Sequence, residues 1–254
     1  MKSNFVWCDL STFDIRTALD FYTKVFRWNY RETSNATMDE AYHVAYQGNS
    51  AVSAIFVMPE YLQKINMPSF WMSYISVENI EEVVQNAEEN GAIIEIKPTS
   101  FDEKSRIALI RDPSGAGFTA YEGKDLKGKS ASGHGRMIWN VLHVNDLNLV
   151  EKFYKDVFGF KFVREPGSDY RYEIYNSAEE LIAHAEILSD DIKGDKQYWM
   201  PIFEVDEMKK FSSDIESFGG SAAFMDENYQ YAIFTDTQGA SFMVSEKGEY
   251  IEFY

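Results

Sequence analysis

Few side chains in this sequence are of a type that does chemistry. There are four histidines and one cysteine. His184 and Glu186 stand two apart in a run that reads as a strand, so they share one face. His143 lies in a second β-rich run. A histidine with a carboxylate can bind a metal ion or act as an acid–base pair; the ordinary alternative is polar residues on a half-exposed strand. His43, in a loop-flanked strand, and His134, in a glycine-rich stretch, carry no such signal. Cys8 neighbours Trp7 but points to the opposite face, where a buried, inert thiol is expected rather than a nucleophile. No glycine-rich phosphate loop, His-Glu-x-x-His or Gly-x-Ser-x-Gly motif competes for attention.

The composition bounds what those residues can be part of. An apolar fraction of 45% with 16% aromatic residues over 254 positions is globular and allows two domains of ordinary size. The net charge of −17 argues against nucleic acid or an anionic membrane as partner, since both need clustered cations. One cysteine cannot form an internal disulfide, no run reaches membrane-spanning length, and the first residues lack a signal-peptide pattern. The expectation is a cytoplasmic protein.

The elements that position the candidates are written twice. Trp7, Asp14, Phe21, Tyr22, Val25 and Phe26 recur 132 positions later as Trp139, Asp146, Phe153, Tyr154, Val157 and Phe158. Trp71, Met72, Val77 and Gly91 recur at 128 as Trp199, Met200, Val205 and Gly219. Ala108, Asp112, Gly115, Ala116, Phe118 and Glu122 recur at 124 as Ala232, Asp236, Gly239, Ala240, Phe242 and Glu246. Self-similarity of this kind fixes the architecture before local propensity is weighed. Each half splits into two βαβββ modules. Their helices show apolar stripes at steps of three and four: Ile15, Ala18, Tyr22, Val25 and Phe26; Ile80, Val83, Val84 and Ala87; Leu147, Val150, Tyr154, Val157 and Phe158; Met208, Phe211, Ile215 and Phe218. Asp14 supplies an N-cap, and Asn90-Gly91 a left-handed stop. Strands are expected near 5–11, 28–32, 41–46, 51–58, 70–77, 92–96, 107–110 and 117–121. Gly123–Gly135, with four glycines, reads as a linker. The class is α+β, with domains at 1–123 and 135–248 joined through 124–134.

This pattern resembles the vicinal oxygen chelate superfamily, which holds glyoxalase I, bleomycin-resistance proteins and extradiol dioxygenases. The resemblance rests on Trp7 through Asp14 to Phe21-Tyr22 and Phe26, on the tract from Phe70 to Val77, on Asp112-Pro113-Ser114-Gly115, and on their second-half counterparts. It covers nearly the whole chain, most narrowly as a tandem, two-domain glyoxalase-like protein. It implies four βαβββ units paired into two glyoxalase-like domains with cup-shaped mixed sheets. In metal-dependent members of the family the ion sits in the cup on His, Glu or Gln. Those positions correspond here to Trp7, Met72 and Thr119, and to Trp139, Met200 and Met243. Indole and thioether are not ligands for a hard divalent ion, so no metal and no cofactor is expected.

Alternation along the strands then gives the expected linings. In the first cup they are Trp7, Asp9, Met72, Tyr74, Thr119 and Tyr121. In the second they are Trp139, His143, Met200 and Glu204, with Val141, Ile202, Met243 and Ser245 beside them. An aromatic wall with a few polar groups suits a small organic molecule; the alternative is that Trp and Met simply plug the cups. The expected function is small-molecule binding by a glyoxalase-like protein without the family metal, as monomer or homodimer. The alternative is a metal-dependent lyase, isomerase or dioxygenase using a non-standard site around His143, His184 and Glu186.

Overall fold

The computed structural model describes residues 2–33, 41–126, 133–226, 228 and 230–246. Residues 127–132 of the expected linker and the last two of the second expected domain lie outside the described residues. The four modules run in the expected order. The first is β1 (Phe5–Thr12), α1 (Ile15–Phe26), β2 (Asn29–Thr33), β3 (Tyr42–Gln47) and β4 (Ser50–Val57), and the short α2 (Glu60–Lys64) follows it. The second is β5 (Phe70–Ser76), α3 (Ile80–Glu89), β6 (Ile93–Ser100), β7 (Arg106–Arg111) and β8 (Gly117–Glu122). The third is β9 (Met137–Val144), α4 (Asn148–Phe158), β10 (Lys161–Arg164), β11 (Arg171–Tyr175) and β12 (Leu181–Ile187), then the short α5 (Asp190–Lys193). The fourth is β13 (Tyr198–Val205), α6 (Met208–Ser217), β14 (Ser221–Met225), β15 (Tyr231–Thr235) and β16 (Ser241–Glu246).

Two mixed sheets result, the α+β class expected. Their strand orders are β2-β3-β4-β1-β5-β8-β7-β6 and β10-β11-β12-β9-β13-β16-β15-β14, so each sheet is drawn from one half of the sequence. β6 runs past its expected end through Pro98 to Ser100. It lies at a sheet edge, where a residue without an N–H does no harm to the ladder.

The repeated residues explain one another. Asp14 caps α1, accepting from Arg16 N and Thr17 N. Glu122 Oε2 accepts from Ile80 N, and Glu246 Oε2 from Met208 N, both at 2.8 Å, so each final strand satisfies the first turn of its module's helix. Asp112 Oδ1 accepts from Ser114 N and Ala116 N, and Asp236 Oδ1 from Gln238 N and Ala240 N, which closes both turns. The other carboxylate oxygen of each takes a tyrosine hydroxyl from the opposite half: Tyr154 donates to Asp112 at 2.8 Å, and Tyr22 to Asp236 at 3.0 Å. Burial raises both carboxyls above their ordinary range, against the pull of these hydrogen bonds.

Packing divides the chain into two compact units that follow the helix layers rather than the two sequence halves. One comprises residues 1–7, 73–128 and 139–200; the other 8–72, 129–138 and 201–254. In the first, the faces of α3 and α4 share a core that includes Val83, Ala87, Phe118, Val150, Tyr154 and Phe158. In the second, α1 and α6 share a core that includes Tyr22, Phe26, Phe203, Phe211, Ile215 and Phe242. One stripe residue departs from expectation. Phe218 caps the end of α6 and is 36% exposed, with Lys24 5.4 Å above its ring, because the helix stops before bringing it round to the core.

Candidate functional site

Alternation along β9 separates two sets of side chains. Leu142 and Val144 belong to the core beneath the helices, so Trp139, Val141 and His143 occupy the other face. The β9–β12 register sets Val141 beside His184 and His143 beside Glu186. The β11–β12 register sets Arg171 beside Glu186 and Glu173 beside His184. His143, Glu186 and Arg171 therefore form a row across three adjacent strands. Glu165, just after β10, extends it, its N–H bonded to the Arg171 carbonyl at 3.1 Å.

The side chains keep that order. His143 Nε2 lies 3.3 Å from Glu186 Oε2, Arg171 Nε 3.3 Å from Glu186 Oε1, and Arg171 Nε 3.4 Å from Glu165 Oε2. His143 is 1% exposed, and neither of its ring nitrogens makes a hydrogen bond. The side chains of Glu186, Arg171 and Glu165 are 15–17% exposed. The Tyr198 ring meets the imidazole edge-on at 5.2 Å. Burial opposes ionisation of Glu186, but the neighbouring His143 and the charge of Arg171 outweigh it and hold the carboxyl below its ordinary value. His184 serves a different purpose: its Nδ1 accepts the Trp139 indole N–H at 2.6 Å. Among the described residues, no group of three or more His, Cys, Asp and Glu side chains is placed to hold a metal ion.

The other expected lining residues are distributed over both units. In the first unit Tyr74 pairs with Thr119, and Ser76 with Tyr121, along β5–β8. Phe101 joins them, its ring 6.3 Å from Tyr74 and 6.4 Å from Tyr121. Trp7 and Met200 are buried in the same unit. In the second unit Asp9 is buried and accepts the Tyr42 hydroxyl at 2.9 Å. Met72 is half-buried and Glu204 buried. Cys8 belongs to the helix-side core, as expected, and burial pushes its thiol pKa up.

Tyr42, Phe101, Glu165, Arg171 and Tyr198 were not singled out by sequence. Their relation to the named residues lies in cross-strand register and edge contacts that single-strand alternation does not encode. His134, passed over as linker, is also buried. Its Nε2 meets the Val25 carbonyl at 2.9 Å, and its Nδ1 accepts from Asp206 N at 3.2 Å. It lines a cavity of about 400 Å³ in the second unit, together with Arg27, Asp206, Lys210 and Phe211.

The side chains at the positions that the resemblance implies for a metal are not of the types that hold a hard divalent ion. Trp7, Trp139, Met200, Thr119 and Met243 are buried and Met72 half-buried. Their donor set is two indoles, three thioethers and one hydroxyl, without a carboxylate or imidazole.

Known proteins share this architecture. Residues 4–119 match the family described as Glyoxalase/Bleomycin resistance protein/Dioxygenase superfamily. A Mycobacterium bovis protein named "Putative glyoxylase CFP32" is 26% identical over 94% of this chain and 92% of its own length. The Mn(II)-bound glyoxalase of Novosphingobium aromaticivorans superposes with a TM-score of 0.60 at 13% identity, covering 96% of this chain and 82% of that one. The 2,3-dioxygenase LapB of Pseudomonas sp. KL28 gives 0.63 at 13% identity, covering 96% and 92%. The first half of the chain thus matches the Glyoxalase/Bleomycin resistance protein/Dioxygenase superfamily, and the second half repeats its strand order.

Proposed function

We propose that the protein binds a small aromatic or apolar organic molecule on the sheet faces turned away from its helices, without the divalent ion used by metal-dependent relatives. The observation that carries this reading is the donor set at the six family positions: Trp7, Met72, Thr119, Trp139, Met200 and Met243. Aromatic and sulfur side chains at such positions offer dispersion contacts to a ligand. Tyr74, Tyr121 and His143 in the first unit, or Asp9 and Glu204 in the second, would supply the few polar contacts that orient a ligand bound there. The net charge of −17 supports a small molecule rather than nucleic acid or an anionic membrane as partner, and the lone cysteine fits a cytoplasmic setting.

Native mass spectrometry of protein purified without added metal tests the reading, paired with elemental analysis. The expected result is a monomer or homodimer carrying no stoichiometric metal, and able to retain or take up a small organic molecule. Ligand at a hundred times its Kd would stabilise the fold by about 2.7 kcal/mol. One divalent ion per chain sinks the reading. It would favour the alternative of a metal-dependent lyase, isomerase or dioxygenase, the more so if the accompanying activity disappears in His143→Ala.

A further inference from the structure

We propose that the cavity between the last turn of α1 and α6, in the second unit, binds a free α-amino acid with an apolar side chain, its carboxylate on Arg27 and its ammonium on Asp206. This is a second site, built from the helix layer and not from the sheet faces considered above, and it does not rest on that reading.

The internal repeat shows which of the lining residues the fold does not need. Lys24, Arg27 and Lys210 line the cavity; at the matching positions of the other modules stand Asp156, Gly159 and Glu82. Phe218 likewise answers to Asn90. The helices α3 and α4 form without any of these cations or the ring. In a chain of net charge −17, three cations gathered at one cavity are a local feature with no counterpart in the repeat.

Arg27 is the least expected of the three. It ends α1 in the left-handed conformation, φ 58° and ψ 32°, where α4 ends on Gly159 at φ 69°. Glycine takes that conformation freely and an arginine does not. A strained position that persists points to a use for its side chain. The Arg27 guanidinium lies 3.3 Å from Asp206 Oδ2, and the two side chains are 60% and 55% exposed. An ion pair so exposed contributes little to the fold, so it can open to a ligand that offers both partners something better.

The ligand class follows from the charges. The cations are matched by the carboxylates of Asp206, Glu207 and Asp214, which leaves the lining neutral. A bare anion or a bare cation would meet repulsion along with attraction there, whereas a zwitterion meets complementary charge at both ends. A cation and a carboxylate side by side match an ammonium and a carboxylate held on one carbon, and the guanidinium fork takes a carboxylate with two hydrogen bonds. Glu207 is at hand as a further acceptor. It stands at the N-cap of α6 without making a capping bond, because Met208 N donates to Glu246 Oε2; its counterpart Asn79 does cap α3.

His134 sets the spacing in advance. Its Nδ1 accepts from Asp206 N and its Nε2 meets the Val25 carbonyl, which ties the entrance of α6 to the last turn of α1. Phe211, Phe218 and Val25 provide the apolar part of the lining, and the half-buried Phe218 ring gains a task that core packing does not give it. The volume of about 400 Å³ is at the lower end for small-molecule pockets, room for one amino acid.

Calorimetric titration of the full chain at low salt tests this with L-phenylalanine and L-leucine, beside 3-phenylpropanoate, which lacks the ammonium, and 2-phenylethylamine, which lacks the carboxylate. The expected result is one amino acid bound per chain and at least tenfold weaker binding of both analogues. Arg27→Gly should weaken L-phenylalanine about ten- to hundred-fold, the worth of a hydrogen bond to a charged group. Its urea midpoint should stay at or above that of the wild type, since glycine relieves the left-handed strain. Asp206→Asn should abolish the preference for L-phenylalanine over 3-phenylpropanoate. The proposal is overturned if neither amino acid binds, if either analogue binds as tightly as L-phenylalanine, or if Arg27→Gly binds like the wild type.

Discussion

Burial decides the behaviour of single residues here more often than their chemistry does. Cys8 is fully enclosed beside Ser53, whose hydroxyl lies 3.8 Å from the sulfur, and desolvation raises its thiol pKa. A disulfide reagent such as Ellman's should leave native protein unmodified, and its rate in urea should follow the unfolding transition. Rapid stoichiometric labelling of native protein would show that the thiol is reachable. The inward face of Cys8 was legible from alternation beside Trp7. The polar row was only partly legible. His143, His184 and Glu186 could be named from sequence, but Arg171 and Glu165 come to them through the β11–β12 and β10–β11 pairings, which depend on hairpin register. The separate employment of His184 by Trp139 was likewise hidden, since the two are 45 residues apart and meet only across strands.

Elements carried most of what sequence could reveal. The amphipathic stripes and the Asp14 cap place α1 and α4 where they are found. Phe218 is the exception, standing one residue past the end of α6 as its C-cap. A less legible element is the return segment at His134, whose polar, glycine-rich composition conceals a docked side chain. It joins the last turn of α1, through the Val25 carbonyl, to the chain entering α6, through Asp206 N. The neighbouring Gly135 has φ +73°, and a Cβ there would stand 2.8 Å from both Phe26 Cβ and Trp28 Nε1, so only glycine lets the segment approach. Burial depresses the pKa of His134, more than its Val25 contact and the Asp206 charge raise it. The unfolded chain therefore takes up this proton first. The contribution of His134 is complete above about pH 6.5 and is lost as pH falls from there towards the native value. Urea midpoints should drop as pH falls below about 6.5. His134→Ala should cost about 1–3 kcal/mol and flatten that part of the profile; an unchanged slope would assign it to other groups.

At the scale of the whole molecule, the sheets and the cores divide the chain differently. Each sheet is drawn from one half, yet each helix-side core is assembled from both: Phe26 stacks on Phe211 at 5.5 Å in one, and Phe118 meets Phe158 at 5.5 Å in the other. The duplication was plain in the sequence, but repeated stripes do not say which stripe packs on which. A single half would leave both of its helix stripes without partners and exposed to water. Residues 1–126 and 133–246 expressed separately should therefore aggregate or pair with themselves, and a cooperatively folded monomer from either would contradict this. Co-expressed, the two pieces have every reason to find each other, since each supplies complementary surface to two separate cores. The peptide link between the halves then raises the local concentration of each for the other. Cut there, the protein becomes a split pair whose reassembly can be used as a reporter.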